Sequence, residues 1–108
     1  MTRTEHLLVC LAEECAEIQH VVAKALRFGL DDIPPGQHIF AELTNAGRLT
    51  QEVTDLLGVL ELLQESGVPV LSGERKHILM KKEKVEMYMS YARERGTLEA
   101  IEIDASGK

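Results

Sequence analysis

The sequence contains no tryptophan, two tyrosines, two phenylalanines and only two cysteines in 108 residues. With so few aromatic side chains, the interior has to be built from aliphatic residues, a composition that favours helices. Cys10 and Cys15 are five residues apart and lack the Cys-x-x-Cys spacing of a zinc or redox motif. We therefore expect both to be free thiols packed in the core.

Long apolar runs and positive charge are also scarce. No stretch reaches the roughly 18 apolar residues of a membrane-spanning helix, so a membrane partner is not expected. Lys and Arg total 12 against 18 Asp and Glu, a net charge of −6. Because binding to a nucleic-acid polymer needs a basic surface, we expect none here. The polar residues 1–6 do not resemble a secretory signal, which predicts a cytoplasmic protein.

Three stretches have the apolar spacing of helices and are separated by Gly and Pro. They cover about residues 4–28, residues 39 or later to 65, and residues 73–95, and each is followed closely by a glycine, as helix C-termini often are. The sequence predicts an all-α fold, an antiparallel helical bundle of three main helices over residues 1–96. Residues 97–108 are expected to form a short irregular tail.

The apolar stripes of these helices are wider than one three-helix bundle covers. Helices of about 20 residues are roughly 30 Å long, and an isolated trio leaves apolar flanks exposed to water. We expect the chain to pack against copies of itself as a homodimer or homotetramer.

The first helix has carboxylates on or beside its apolar stripe. That stripe is predicted to contain Leu7, Leu11, Ile18, Val22 and Ala25. Glu14 falls inside it, Glu17 lies at its edge, and Glu13 lies beside Glu17 toward the polar face. Because an unpaired buried charge is strongly unfavourable, a purely structural helix would not place Glu14 there.

The second helix repeats this arrangement. Its stripe is predicted to contain Val53, Leu56, Leu60 and Leu63. Glu52 lies within that stripe and Asp55 at its border, three residues later, so the two share a helix face. If the helices pack antiparallel, the two acidic pairs converge and need a positive counter-charge. Mg²⁺ or Mn²⁺ is expected, because both prefer oxygen ligands. The alternative is that these residues belong to solvated acidic faces.

The two acidic segments resemble a known signature. Residues 11–17, LAEECAE, and residues 52–56, EVTDL, are similar to the EExxE and ExxD motifs of the all-α nucleoside triphosphate pyrophosphohydrolases, the MazG-like family. The similarity extends over about residues 7–91. The gap between the motifs is long for this family because the loop at residues 30–38 and its flanks are inserted, which leaves base recognition unassigned.

The resemblance implies an oligomeric helical bundle that binds a nucleoside triphosphate and Mg²⁺. The family cleaves between the α and β phosphates and releases a nucleoside monophosphate and pyrophosphate. The implied metal ligands are Glu14, Glu17, Glu52 and Asp55. Such an enzyme would have a housekeeping role in the nucleotide pool.

Catalytic roles are expected for four residues. Glu13 or Glu17, where not fully used by metal, would accept a proton from the attacking water. On the third helix, the predicted apolar stripe contains Ile78, Val85, Met89 and Ala92. Lys81 lies at its border and Lys84 further out, where a mobile ammonium would stabilise the leaving pyrophosphate.

Substrate contacts are expected from both ends of the sequence. Lys24 and Arg27 follow Glu17 on the same side of helix one, and Lys82 and Tyr88 lie on or near the stripe of helix three. The alternative for the lysines is that their stems cover apolar surface while the ammonium groups stay in water.

Two other functions remain open from the sequence. One is a non-enzymatic helical oligomerisation module, and the other is a nucleotide-sensing module of the same fold. The sequence does not specify the base, the sugar, the number of metal ions or the choice between dimer and tetramer.

Overall fold

A computed structural model describes residues 1–36, 43–71 and 73–100. Within these ranges the chain forms three helices and no strand: α1 (Arg3–Phe28), α2 (Asn45–Glu65) and α3 (Arg75–Arg95). The prediction of an all-α chain with three main helices is confirmed. The earliest start predicted for the second helix, residue 39, lies outside the described residues.

Threonine caps explain where the first two helices begin. The Thr2 hydroxyl accepts a hydrogen bond from the Glu5 amide, and the Thr44 hydroxyl accepts one from the Gly47 amide, both at 3.1 Å. Each bond satisfies an amide that has no partner within its helix. The first helix ends at Phe28 and is followed by Gly29, whose φ of 104° is readily adopted only by glycine.

The start of α2 is fixed to the loop that follows α1. The backbone amides of Asn45 and Ala46 donate to the carbonyls of Asp32 and Leu30, each at 2.9 Å. The Asn45 side chain is fully buried and donates from Nδ2 to the Gly29 carbonyl, also at 2.9 Å. Because α2 begins where α1 ends and the two helices pack together, they run antiparallel in a fixed register.

The interface between α1 and α2 contains the buried apolar side chains Leu7, Val21 and Leu63. The predicted stripe of α1 was wrong at Val22, which is 40% exposed, whereas its neighbour Val21 is 3% exposed. Consecutive helical residues point about 100° apart, so both cannot face α2. Val53 of the predicted α2 stripe is likewise 40% exposed.

The two cysteines are free, as predicted. Cys10 is half-buried, but the expectation of core packing is wrong for Cys15, which is exposed. Residues five apart on a helix point about 140° apart, so the two cysteines lie on different faces of α1.

The chain divides into two compact units, Met1–Ser72 and Gly73–Lys108. The second unit contains α3, in which no described residue is buried, and Gly96 ends the helix in the left-handed conformation with φ 77°. Met89 and Ala92 of its predicted stripe are half-buried, while Ile78 and Val85 are exposed. Residues 97–100 are not helical, and the remainder of the predicted tail lies outside the described residues.

No helix of the described ranges combines the length and the apolar character that crossing a membrane requires.

Candidate metal centre

The antiparallel register of α1 and α2 brings three predicted metal ligands together. Glu14 and Glu17 of α1 and Glu52 of α2 each contribute one carboxylate oxygen, and these three oxygens all lie within 4.8 Å of one another. We call this group the carboxylate cluster. Its members come from two helices, so it exists only when α1 and α2 are packed in this register.

Two oxygens of the carboxylate cluster are buried without a partner. Glu14 and Glu52 are half-buried, and the Oε2 atom of each is inaccessible to water and accepts no hydrogen bond. Leaving a buried acceptor unpaired destabilises a fold, so a native structure normally supplies it with a partner. Oxygen atoms converging in this way suit a hard divalent cation, and the residues therefore fit Mg²⁺ or Mn²⁺.

The pKa of the Glu14 carboxyl is raised above its ordinary value. The largest cause is loss of hydration, followed by repulsion from the negative charges of Glu17, Asp55 and Glu13. Both effects disfavour the ionised form of Glu14 in the absence of a cation.

The pKa of Glu52 is also raised, chiefly through a side-chain hydrogen bond with Glu17. Loss of hydration adds to this, as does repulsion from Glu17, Asp55 and Glu14. Two carboxyl groups can share a hydrogen bond only while one of them is protonated. The carboxylate cluster thus favours an added positive charge, whether a proton or a metal ion.

Asp55 and Glu13 lie at the margin of the carboxylate cluster. Both are exposed, and neither supplies one of the three converging oxygens. Both are close enough for their charges to raise the pKa of Glu14. Asp55, predicted as a ligand, and Glu13, predicted as a proton acceptor, are therefore neighbours of the three glutamates.

A cleft of about 330 Å³ adjoins the carboxylate cluster. Its lining residues are Glu17, His20, Val21, Lys24, Arg48 and Glu52. Lys24 was predicted to contact substrate, whereas Arg48 was missed. The signal for Arg48 was present in the sequence, because it precedes Glu52 by four residues and so lies on the same face of α2.

Arg27 is not among the residues that line this cleft. Its guanidinium lies 4.7 Å from the centroid of the Phe28 ring, a cation–π contact at the exposed end of α1.

The predicted residues of α3 lie in the second unit. Lys81, Lys84 and Tyr88 line an apolar groove of about 430 Å³, and Lys82 is exposed but is not among the groove residues. The remaining lining residues are Val85, Met89, Ala92, Thr97 and Leu98. The catalytic and substrate-binding roles of these four residues stay predictions.

Comparison of the chain with protein-family models, curated proteins and solved structures finds no match. The similarity to the MazG-like signature therefore depends on the two acidic segments and on the helices that carry them.

Proposed function

We propose that this chain is a metal-dependent nucleoside triphosphate pyrophosphohydrolase of the MazG-like type. The observation that carries the proposal is the convergence of Glu14, Glu17 and Glu52 from two helices, with two buried oxygens that lack a partner. A solvated acidic face does not need buried, unpaired carboxylate oxygens. A site that binds a cation does.

Glu14, Glu17 and Glu52 would hold the metal, with Asp55 beside them as the fourth ligand that the sequence signature implies. A bound Mg²⁺ would neutralise phosphate charge and lower the pKa of a coordinated water molecule. The mixture of half-buried and exposed carboxylates leaves the centre open toward the cleft, as a catalytic site requires.

The reaction uses one water and forms no covalent enzyme intermediate. The water oxygen bonds to the α-phosphorus while its proton passes to a free carboxylate of Glu13 or Glu17. The bond between the α-phosphorus and the α–β bridging oxygen breaks, and pyrophosphate leaves with that electron pair. The products are a nucleoside monophosphate and pyrophosphate.

Cationic side chains would balance the charge of the substrate and the leaving group. Lys24 is supported by its position in the cleft beside the carboxylate cluster. Lys81 and Lys84 line the α3 groove of the second unit, and their proposed contact with the leaving pyrophosphate depends on the sequence pattern. Arg27, Lys82 and Tyr88 complete the proposed substrate contacts.

We also propose that the chain assembles as a homodimer or homotetramer in the cytoplasm. Among the described residues, few apolar side chains are buried, and large ones such as Leu26, Leu57 and Tyr91 are at least 49% exposed. A second copy of the chain would cover part of this surface. Clearing the nucleotide pool of unwanted triphosphates fits a cytoplasmic enzyme.

A panel of nucleoside triphosphates incubated with Mg²⁺ tests the activity. We expect monophosphate and pyrophosphate from at least one of them, and loss of turnover in Glu14→Gln and Glu52→Gln. Glu61→Gln, on the exposed side of α2, is the matched control and should retain activity. Nucleotide binding without turnover would favour the sensing module, and neither metal nor nucleotide binding would favour the oligomerisation module.

A further inference from the structure

Arg48 is a cationic residue of the cleft to which the proposed mechanism gives no role. It lies on the inward face of α2, is half-buried, and has an Nε atom that is inaccessible to water and donates no hydrogen bond. Within residues 1–36, 43–71 and 73–100, no carboxylate forms an ion pair with it. Glu17 and Glu52, which line the same cleft, are therefore not its partners.

An unpartnered guanidinium in a cleft is a binding group for an anion. The guanidinium is charged at every physiological pH and presents donors in a planar fork that matches phosphate or carboxylate oxygens. Burying one of its donors without an acceptor is unfavourable. An oxyanion entering the cleft would supply the missing acceptor.

Helix geometry places the cations and the carboxylates toward opposite ends of the cleft. Lys24 follows Glu17 by two helical turns, about 10 Å along α1, and Arg48 precedes Glu52 by about one turn, about 6 Å along α2. Because the helices are antiparallel, both displacements point the same way. His20 lies between the two ends.

We infer that Arg48, together with Lys24, binds the terminal phosphates of a polyphosphate substrate whose inner phosphate is held through metal at the carboxylate cluster. A short phosphate chain spans the distance between the two ends. Arg48 thereby fixes which phosphorus lies next to the metal, and so which bond is cleaved. The inference rests on the proposed function for the reaction, but the anion site itself does not require turnover.

Calorimetric titration with inorganic pyrophosphate, with and without Mg²⁺, tests this inference. Arg48→Met keeps the length of the side chain and removes its charge and donors. We expect pyrophosphate to bind about tenfold to a hundredfold more weakly to this variant, the effect of losing charge-assisted hydrogen bonds. Arg48→Lys should be intermediate, because an ammonium keeps the charge but not the fork. Arg3→Met, at the exposed start of α1, is the matched control and should bind as wild type does.

Metal affinity separates a binding role from a structural one. Arg is not a metal ligand, so Arg48→Met should bind Mg²⁺ at least as tightly as the wild type, whereas disruption of the helix pair would weaken metal binding. Circular dichroism shows whether Arg48→Met keeps its helices. If it does not, pyrophosphate binding is measured instead in Arg48→Lys and Lys24→Met. Wild-type pyrophosphate affinity in both of those variants would overturn the inference.

The outcomes also separate this inference from the proposed function. Hydrolysis by the wild type combined with undiminished pyrophosphate binding by Arg48→Met would refute the role of Arg48 and leave the proposed function standing. Weakened binding in Arg48→Met, in a protein that hydrolyses no triphosphate, would support the anion site and refute the proposed function. An equal loss in Arg3→Met would also refute the role of Arg48.

Discussion

Glu17 and Glu52 lie on opposite helices of the antiparallel pair, and each supplies one of the carboxylate oxygens that lie within 4.8 Å of one another. The side-chain interaction with Glu17 is the largest cause of the raised pKa of Glu52. When both carboxyl groups are ionised, the pair is a source of repulsion. The geometry that suits a metal ion therefore disfavours the metal-free fold.

Neutralising Glu52 should stabilise the metal-free protein at neutral pH but not in acid. The folded pKa values of Glu14 and Glu52 are raised above 4.5, so above pH 4.5 the folded chain binds more protons than the unfolded chain. Their contribution to stability is present below that pH and is lost as pH rises through the folded values. Glu52→Gln should melt at a higher temperature than wild type at pH 7.5, with the difference shrinking toward pH 4.

The control for this prediction is Glu61→Gln, which removes the same charge from the exposed side of α2. Thermal melts of the three proteins in chelator across the pH range provide the comparison. An identical pH-dependent gain in Glu61→Gln would assign the effect to net charge and not to the carboxylate cluster.

Asn45 should be important for stability although it is not among the residues that line the cleft. Its buried amide donates to the Gly29 carbonyl at 2.9 Å and helps to set the register of the two helices. Asn45→Ala should lower the free energy of unfolding by about 1–3 kcal/mol. Asn45→Asp should cost at least as much, because a carboxylate oxygen would face that carbonyl.

Thr50→Ala is the matched control for Asn45. The Thr50 hydroxyl also donates to a backbone carbonyl, that of Ala46 at 3.1 Å, but it does so at the exposed surface. Its loss should change stability by less than about 0.5 kcal/mol. Urea titration measures all three variants, and equal losses in Asn45→Ala and Thr50→Ala would contradict the anchoring role.

Leu63 and Leu62 offer a test of which face of α2 is packed. Leu63 is fully buried and Leu62 is 40% exposed. Leu63→Ala should reduce the free energy of unfolding by about 2–5 kcal/mol, through lost transfer energy and a residual cavity. Leu62→Ala should cost clearly less in the same urea titration. A larger loss at Leu62 would indicate that the exposed face is covered in solution.

The helices and the carboxylate cluster could be predicted from the sequence because local signals determine them. Apolar spacing and the glycines at the helix ends indicated three helices, and the helical wheel placed Glu14 and Glu52 on inward faces, where both are half-buried. Arg48 could have been found by the same wheel. Basic residues were predicted to contact substrate on α1 and α3, but none was predicted on α2.

Other features depend on contacts that no local pattern encodes. The choice of Val21 over Val22 as the buried valine depends on the rotation of α1 against α2. The anchoring of Asn45 to Gly29 depends on the path of the loop between the helices. The apolar spacing of α1 is compatible with burial of either valine. It gives no information on the path of that loop.

The proposed oligomer has its own test. Several large apolar residues on the exposed faces of α1 and α3 are at least 50% exposed, including Phe28, Ile78 and Met87. Covering them by a second copy would bury apolar area of the kind found in obligate interfaces. Light scattering at micromolar concentration should give a mass of at least twice 12.0 kDa. A mass of one chain would refute the oligomer.

The central claim is that carboxylates from both helices hold one divalent cation, and titration calorimetry with Mg²⁺ tests it most directly. The wild type and Glu61→Gln should bind Mg²⁺, whereas Glu52→Gln should remain folded and lose binding, because one of the three converging oxygens becomes an uncharged amide atom. Retained folding would exclude denaturation as the cause. Binding of Mg²⁺ by Glu52→Gln with wild-type affinity, or no binding by the wild type, would contradict the claim.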